Sequence, residues 1–462
     1  MALSEGGVGE LDPTAGLLAN PPKQKAELLR ILSNTIWLAG DRIIRLGVGL
    51  FVSSWVARYL GPERFGALNY AIAFVYLFSI LGCLGMDSIV VRGFIQEPEK
   101  KDTYLCTAFM VKLTGATLSF ILSLATLYWM KSDRATILLI AVIGLGSIVQ
   151  ATDAIDFWFQ SQVKSKWTVL SKNTAFFIVT LFKVALLVRH AGLIWFGVSA
   201  LLEIVIGAVG MVFYLYRLGD GPRSFTPDFR LAVRILSQCW PLFLSGVSVM
   251  VYMRIDQIML EQMAGQSAVG LYSAAVRVSE MFYFVPMVVG SSVFPAIVAS
   301  RDLGQAIYLG RIQKYFNLSA LLALSIALPM SFASGLITHI LYGSQYAGVA
   351  TILTAHIWAS MFVFMGVARG QYLLSEGLFK FTMVATASGA ICNIILNLVW
   401  IPPYAAFGSA LATVVSYGVS DLLSSFCYRR TWKIGLMQLK ALCFPLTIAR
   451  MIRDRDILGR KA

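Results

Sequence analysis

The sequence predicts an all-α integral membrane protein of twelve transmembrane helices, in two parallel six-helix lobes related by a pseudo-two-fold axis along the membrane normal. Three observations lead there. Of 462 residues, 58% are hydrophobic and only 13% charged, whereas soluble domains carry about a quarter charged residues. Apolar runs of about 20 residues, the length a helix needs to cross ~30 Å of hydrocarbon, recur along the whole chain. Finally, residues 30–33 and 234–237 both read RILS, and the same frame sets Leu38 on Leu242, Gly61 on Gly265, Gly66 on Gly270 and Ala71 on Ala275 without a gap. Two glycine pairs in one register are more than apolar composition supplies, so the chain reads as a duplication.

The spans fall at 35–58, 66–91, 104–129, 135–157, 168–188, 193–216, 236–260, 269–295, 315–341, 348–374, 381–401 and 406–427. Barrel strands are short and alternate apolar with polar residues, which "LSFILSLATLYWM" and "LLEIVIGAVGMVFYLY" do not. Basic residues test the spans, because Lys and Arg gather in cytoplasmic loops. With the amino terminus inside, 26 of the 38 fall in cytoplasmic segments and 5 (Arg58, Arg64, Lys131, Arg134, Arg189) in opposite ones. That bias places both termini in the cytoplasm. It also accounts for most of the net +14, since the charge tracks loop parity and gives no sign of nucleic-acid binding.

The domains that follow are a disordered cytoplasmic tail (1–32), an N-lobe (33–217), a cytoplasmic linker (218–234), a C-lobe (235–428) and a basic cytoplasmic tail (429–462). The first 26 residues lack the charged start and apolar core of a signal peptide. In the linker, Gly219, Gly221, Pro222 and Pro227 stop the helix. The apolar part of the last tail is too short to span and reads as an amphipathic segment lying on anionic lipid; a remnant of further spans is the alternative. Six spans separate the repeats, so both copies run in the same direction and the repeats are parallel.

Seven basic residues remain inside spans: Arg42, Arg45, Lys112, Lys183, Arg254, Arg277 and Arg369. Each costs about 2.5–3.5 kcal/mol at a helix centre. Such residues face a bundle interior or a wet cavity and mark a substrate path, so all seven are candidate substrate contacts. For Arg42, Lys112 and Lys183, near span ends, the competing reading is snorkelling to the interface. Arg369 is near a cytoplasmic helix end, whereas Arg45, Arg254 and Arg277 lie deeper. Asp41, Asp87, Glu203, Asp256, Glu280 and Asp421 are the acidic counterparts. Asp41–Arg45 and Arg277–Glu280 have spacings that permit pairing on one helix face, while Arg254 and Asp256 point apart. A cationic cavity implies an anionic cargo, and phosphate offers Arg a bidentate partner. The aromatics of "DFWFQ" (156–160), with Trp37, Tyr252, Tyr272, Phe282 and Tyr283, either line the path or pack the core.

The run "VARYLGPERFGALNYAIAFVYLFSILGCLGMDSIVVRGF" (56–94), with "MRIDQIML" and "AVGLYSAAVRVSE" (253–260 and 268–280), resembles bacterial polysaccharide flippases of the Wzx type. These belong to the multidrug/oligosaccharidyl-lipid/polysaccharide (MOP) exporter superfamily. The resemblance implies a V-shaped fold that moves an undecaprenyl-pyrophosphate-linked oligosaccharide across the inner membrane by alternating access. That polyprenyl-pyrophosphate cargo would supply a polysaccharide polymerase and its chain-length regulator, for O-antigen, capsule or exopolysaccharide. Carried over by position, Arg42, Arg45, Arg254 and Arg277 would contact pyrophosphate or glycan. Asp256 and Glu280, with Asp41, are candidates for a coupling Na+ or H+.

A cation-coupled multidrug exporter of the same superfamily is the alternative, although buried cations disfavour an organic-cation cargo. A lipid II flippase of fourteen spans is another. A glycosyltransferase or polymerase needs large loops that this chain lacks. No GxxxxGK[ST] loop is present, the six cysteines show no CxxC pair and the three histidines are dispersed, so neither ATP hydrolysis nor a metal or redox site is expected.

Overall fold

The computed structural model describes the backbone of residues 21–83 and 85–443, and their side chains from residue 45 onward, excepting Cys83, Pro241, Leu242 and Ser245. Residues 1–49 and 50–462 are two compact units. The described part of the first is the opening of helix α1 (Pro21–Cys83). Residues 21–32, expected in the disordered tail, are therefore helical: Pro21 and Pro22 fit a first turn, and "KQKAELLR" is made of good helix formers. Residues 1–20 and 444–462, with the expectations for them, lie outside the described residues.

Every described element is helical. After α1 come α2 (Asp87–Gln96), α3 (Lys101–Trp129), α4 (Arg134–Val149), α5 (Ala154–Ser161), α6 (Lys166–Val188) and α7 (Leu193–Arg217). The chain continues through α8 (Phe229–Glu280), α9 (Phe284–Ala299), α10 (Gln305–Tyr342), α11 (Val349–His356), α12 (Ala359–Ser375), α13 (Phe379–Asp421) and α14 (Trp432–Leu442). Among the described residues, nine segments are long and apolar enough to cross a membrane. Three of them, Arg45–Gln96, Gly246–Ala299 and Phe379–Phe426, have 52, 54 and 48 residues. Straight helices of that length would extend ~70–80 Å, more than twice the hydrocarbon thickness. Each is broken by a non-helical residue: Gly61 (φ 74°, ψ 168°), Gly265 (φ 81°, ψ 172°) and Ala405 (φ 47°, ψ −129°).

Gly61 and Gly265, paired by the repeat, share one backbone conformation, in the positive-φ region that suits glycine. Their turns also touch. A Cβ placed on Gly66 would lie 2.7 Å from the Gln266 carbonyl carbon and 2.9 Å from the Gly270 nitrogen. One on Gly270 would lie 2.8 Å from the Pro62 carbonyl carbon. In the repeat register Pro62 corresponds to Gln266 and Gly66 to Gly270, so the contact is reciprocal, as a two-fold axis between the turns requires. The same end is tied by Arg58, whose Nη2 donates to the His339 carbonyl at 3.1 Å and to that of Ile340, neutralising the carbonyl end of α10. Gln345 donates to the Arg58 carbonyl (2.7 Å) and Tyr346 to that of Ala57 (2.8 Å). Phe65, Tyr70, Phe74, Ile258, Tyr272 and Tyr346 join in one apolar core.

The linker is shorter than expected, because α8 starts at Phe229 and not near residue 235. Asp228 caps it, accepting from the Arg230 and Leu231 amides. Residues before it are strapped to the preceding helices: Lys164 pairs with Asp220 at 2.9 Å, the Arg223 amide donates to Asp102 and the Asp228 amide to Thr107. The last helix also departs from expectation. One face of α14 is buried: Ile434 and Ala441 cluster with Ile312, Tyr315 and Phe316 of α10, and Gln438 donates to the Asp421 carbonyl at 2.8 Å. Leu442 packs farther along, beside Leu322 and Ile326. Thus α14 docks lengthwise on α10 and does not simply rest on lipid, while Trp432, Leu436 and Leu439 remain exposed.

Candidate functional site

The α8 arm before Gly265 carries Arg254 and Asp256, and the two point apart as their spacing requires. Asp256 is buried, 3% exposed, and no basic group lies within ion-pair distance among the described residues. Its carboxylate instead accepts three neutral hydrogen bonds: from Tyr272 Oη (2.6 Å), Asn397 Nδ2 (2.6 Å) and Thr413 Oγ1 (2.8 Å). Tyr272 comes from the second arm of α8, Asn397 and Thr413 from the two arms of α13. Behind Asn397, its Nδ2 also meets Asn393 Oδ1 at 3.0 Å, and Asn393 Nδ2 reaches Ser416 Oγ at 3.3 Å. Asn397 Oδ1 and Ser409 Oγ are buried without a partner. This carboxylate, held by two hydroxyls and an amide, has no counter-ion among the described residues, and a monovalent cation or a proton would supply that charge.

Arg254 and Arg277 face the other way, toward α1. The Arg254 guanidinium lies 5.3 Å from the Tyr76 ring centroid, and its Nε is buried without a partner. Arg277 donates to Ser53 Oγ and, at 3.4 Å, to Asn69 Oδ1, with its guanidinium 5.9 Å from the Phe65 ring centroid. Glu280 is within electrostatic reach of both arginines, yet neither makes an ion pair among the described residues. The pairing of Arg277 with Glu280 that their spacing permits is therefore not made. Ring faces and neutral oxygens hold the cations in place and leave their charge available.

The other expected site residues are elsewhere. Lys183 pairs with Glu203 at 3.5 Å between α6 and α7. Arg369 is buried in an ion pair with Asp421 at 3.3 Å and donates to Ser424 Oγ at 2.7 Å. Lys112 is 5% exposed, lies 5.2 Å from the Phe157 ring and lines a water-sized cavity with Ser79, Ser147 and Gln150. The structure does not bring these three to Arg254 and Arg277. The side chains of Asp41 and Arg42 are outside the described residues, and Arg45 belongs to the 1–49 unit. The aromatics of "DFWFQ" pack the core: Phe157, Trp158 and Phe159 are buried, with Trp158 edge-on to Phe94 at 5.2 Å.

Sequence reasoning missed Asn393, Asn397 and Thr413, and took Tyr272 only as an aromatic of the path or the core. The signal was present, since "NIILN" puts two amides four residues apart on one face of an otherwise apolar helix. It also missed His356, which is buried against the edge of Tyr272 (6.0 Å between ring centroids) with Nδ1 2.6 Å from Ser279 Oγ.

The fold is that of a multi-pass helical membrane protein of the MOP-transporter type. The "Polysaccharide biosynthesis protein" family model matches residues 31–300, and the chain belongs to that family. The MatE model matches residues 241–399. A probable flippase, AglR of Haloferax volcanii, is 23% identical over 415 residues, covering 83% of this chain and 80% of that protein. Among solved structures, an inward-facing multidrug resistance MATE family transporter of the MOP superfamily aligns with TM-score 0.70 and 14% identity, over 86% of this chain and 95% of that one. The lipid II flippase MurJ, in an inward closed conformation, aligns with TM-score 0.69 and 16% identity, over 90% and 93%.

Proposed function

We propose that this protein flips a polyprenyl-pyrophosphate-linked oligosaccharide across a cytoplasmic membrane by alternating access. Arg254 and Arg277 receive the pyrophosphate, and a monovalent cation at Asp256 supplies the coupling. The observation that carries this reading is the unpaired state of Arg254 and Arg277, which hold positive charge toward Tyr76, Ser53 and Asn69 of the other helices. A diphosphate is the ligand that two such guanidiniums fit. Lys183 and Arg369 drop out of the proposed site because carboxylates already balance them.

The nine long segments, three of them folded on Gly61, Gly265 and Ala405, amount in this reading to twelve crossings. The proposed lobes, each of six helices and parallel to the other, are 33–217 and 235–428, with the axis between the Gly66 and Gly270 turns. The basic-residue bias puts both termini in the cytoplasm, which makes the joined turns the outer end and leaves the cavity closed to that side. Undecaprenyl is the expected carrier, with a polymerase and a chain-length regulator as downstream partners.

Lipid-linked oligosaccharides should be measured by mass spectrometry in cells lacking the protein, complemented with wild type or Arg254→Ala, beside drug sensitivity. Accumulated polyprenyl-pyrophosphate glycan that wild type clears and Arg254→Ala does not is the expected result. Unchanged glycolipids with heightened drug sensitivity would replace this reading with multidrug export.

A further inference from the structure

Asp256 and Thr413 form the first rung of a ladder between the first arm of α8 and the second arm of α13. Thr413 Oγ1 donates to Asp256 at 2.8 Å, and one turn on, Tyr252 stacks on Tyr417 with ring centroids 4.5 Å apart and planes 24° from parallel. One further turn along α13 is Asp421, on the same face as Thr413 and Tyr417 and about 12 Å from Thr413. The packing leaves no slack between them. A Cβ on Gly389, in the first arm of α13, would lie 2.7 Å from Ser420 Cβ and 3.2 Å from the Tyr252 ring. A Cβ on Gly366 of α12 would lie 2.5 Å from Asp421 Cγ. A displacement of Asp421 along the arm therefore carries to Thr413.

Two buried side chains hold Asp421. Arg369 of α12, 3% exposed, takes its carboxylate at 3.3 Å and donates to Ser424 Oγ at 2.7 Å. Gln438 of α14, 0% exposed, donates to the Asp421 main-chain carbonyl at 2.8 Å and accepts from Ser425 Oγ at 3.1 Å. That carbonyl belongs to the last residue of α13, where carbonyls find no partner within the helix. A fully buried amide is a costly way to dock a helix, and Ile434 and Ala441 already supply apolar contact with α10. What Gln438 adds is a fixed position for the end of α13. On its other side α14 is tied to α10 separately, where Gln313 Nε2 donates to the Met437 carbonyl at 3.0 Å.

We propose that Gln438 is a positioning residue of the cation site: through the Asp421 carbonyl it sets where the second arm of α13 holds Thr413 against Asp256, so that α14 tunes cation affinity. The proposal rests on the reading of Asp256 as the coupling site. It gives α14 a part in coupling that its packing on α10 does not require. Arg369 shares the task, but its loss strands a buried charge, whereas an apolar side chain of like size replaces Gln438 without stranding one. Linkage runs both ways, so a cation at Asp256 in turn secures α14 on the end of α13.

Solid-supported membrane electrophysiology on full-length protein in proteoliposomes records the transient charge movement after a jump in Na+ or, in a separate arm, in H+. Its concentration dependence gives the half-saturating cation concentration. Asp256→Asn should abolish the transient for the cation that wild type answers to. Gln438→Met should raise the half-saturating concentration about tenfold, whereas Gln313→Leu, which loosens α14 from α10 and leaves the Asp421 contact intact, should move it less than about twofold. Gln438→Leu serves if Gln438→Met does not fold, and thermal unfolding of each variant is measured beside it. A structural role alone lowers the melting temperature and leaves half-saturation in place. No wild-type transient, or one that survives Asp256→Asn, overturns the coupling reading and the role of Gln438 with it. A transient lost in Asp256→Asn, with half-saturation unmoved by Gln438→Met or moved equally by Gln313→Leu, overturns the positioning role alone.

Discussion

Gly66→Ala and Gly270→Ala should drive apart the two turns that join the helix sets. Ordinary Cβ contacts lie at 3.4–4 Å, yet a methyl on Gly66 meets the Gln266 carbonyl carbon at 2.7 Å, and one on Gly270 meets that of Pro62 at 2.8 Å. The blocking atoms are backbone, held by turns already fixed at Gly61 and Gly265, so no side chain can swing away. Overpacking of this kind costs about 1–3 kcal/mol. Since the open arrangement does not feel the methyl, that cost becomes a shift of about 5- to 150-fold toward separated ends. The double variant should gain less than the sum, because once the turns part the second methyl meets nothing. Spin labels at Arg64→Cys and Ser267→Cys, both exposed in the wild type, report the separation by pulsed dipolar spectroscopy. An unchanged distance distribution in both single variants, with the protein folded, would refute the view that this contact holds the end closed.

Breaking the buried Arg369–Asp421 pair with Arg369→Ala should destabilise by about 3–5 kcal/mol, whereas Arg369→Met with Asp421→Leu should cost far less; denaturation in detergent compares them. Ile434→Ala, 1% exposed against α10, should cost about 2–5 kcal/mol in the same assay if α14 is truly docked. Outside the spans, Asp133 caps α4 through the Thr136 amide at 3.0 Å, and the Thr136 hydroxyl together with that amide holds its carboxyl below the usual value of 3.8. Its contribution is therefore present above pH ~4 and fades as pH falls through the lowered folded value. Asp133→Ala should cost ~1 kcal/mol near neutrality and flatten the acid limb of the stability profile, a limb that would stay unchanged if the cap were idle.

Much of this fold was legible because hydrocarbon imposes it. An all-helical multi-pass chain followed from membrane thickness, and the two glycine turns from backbone that suits glycine. What the glycines do together was not legible, because a register says which residues correspond and not that Gly66 would meet Gln266. Charge in a span is a loud signal but an ambiguous one. Lys183 and Glu203 stand twenty residues apart and Arg369 and Asp421 fifty-two, so only packing reveals that each is balanced. Asn393, Asn397 and Thr413 were passed over because neutral polar residues barely dent a hydropathy profile, although they build the surroundings of Asp256. The α14 expectation failed on its face: Ile434, Gln438 and Ala441 repeat at helical spacing, which says that the face is covered without saying by what.

In the proposed two-lobe arrangement the repeat register keeps its glycine turns and loses any match between its charged positions. The glycine turns must match, since each is the other's steric partner. The charged positions have no such constraint: the repeat register sets Arg254 on Leu50, Asp256 on Val52, Arg277 on Ala73 and Glu280 on Tyr76. Arg254 nonetheless lies over Tyr76, the counterpart of Glu280, and Arg277 reaches Ser53 and Asn69. The second set of helices thus holds both the cations and the uncompensated carboxylate, and the first supplies rings and neutral oxygens. Placing both charge types on one half has a consequence for coupling. A cation arriving at Asp256 changes the field at Arg254, two residues away on the same helix arm, without waiting for the halves to move. In the proposed mechanism cargo and coupling ion communicate electrostatically within one helix arm, and the paired turns decide only which end is open. Arg254→Gln should therefore change the cation concentration that half-saturates Asp256, whereas Gly66→Ala should leave it alone. Equal shifts in both variants would place the coupling in the closure of the halves instead.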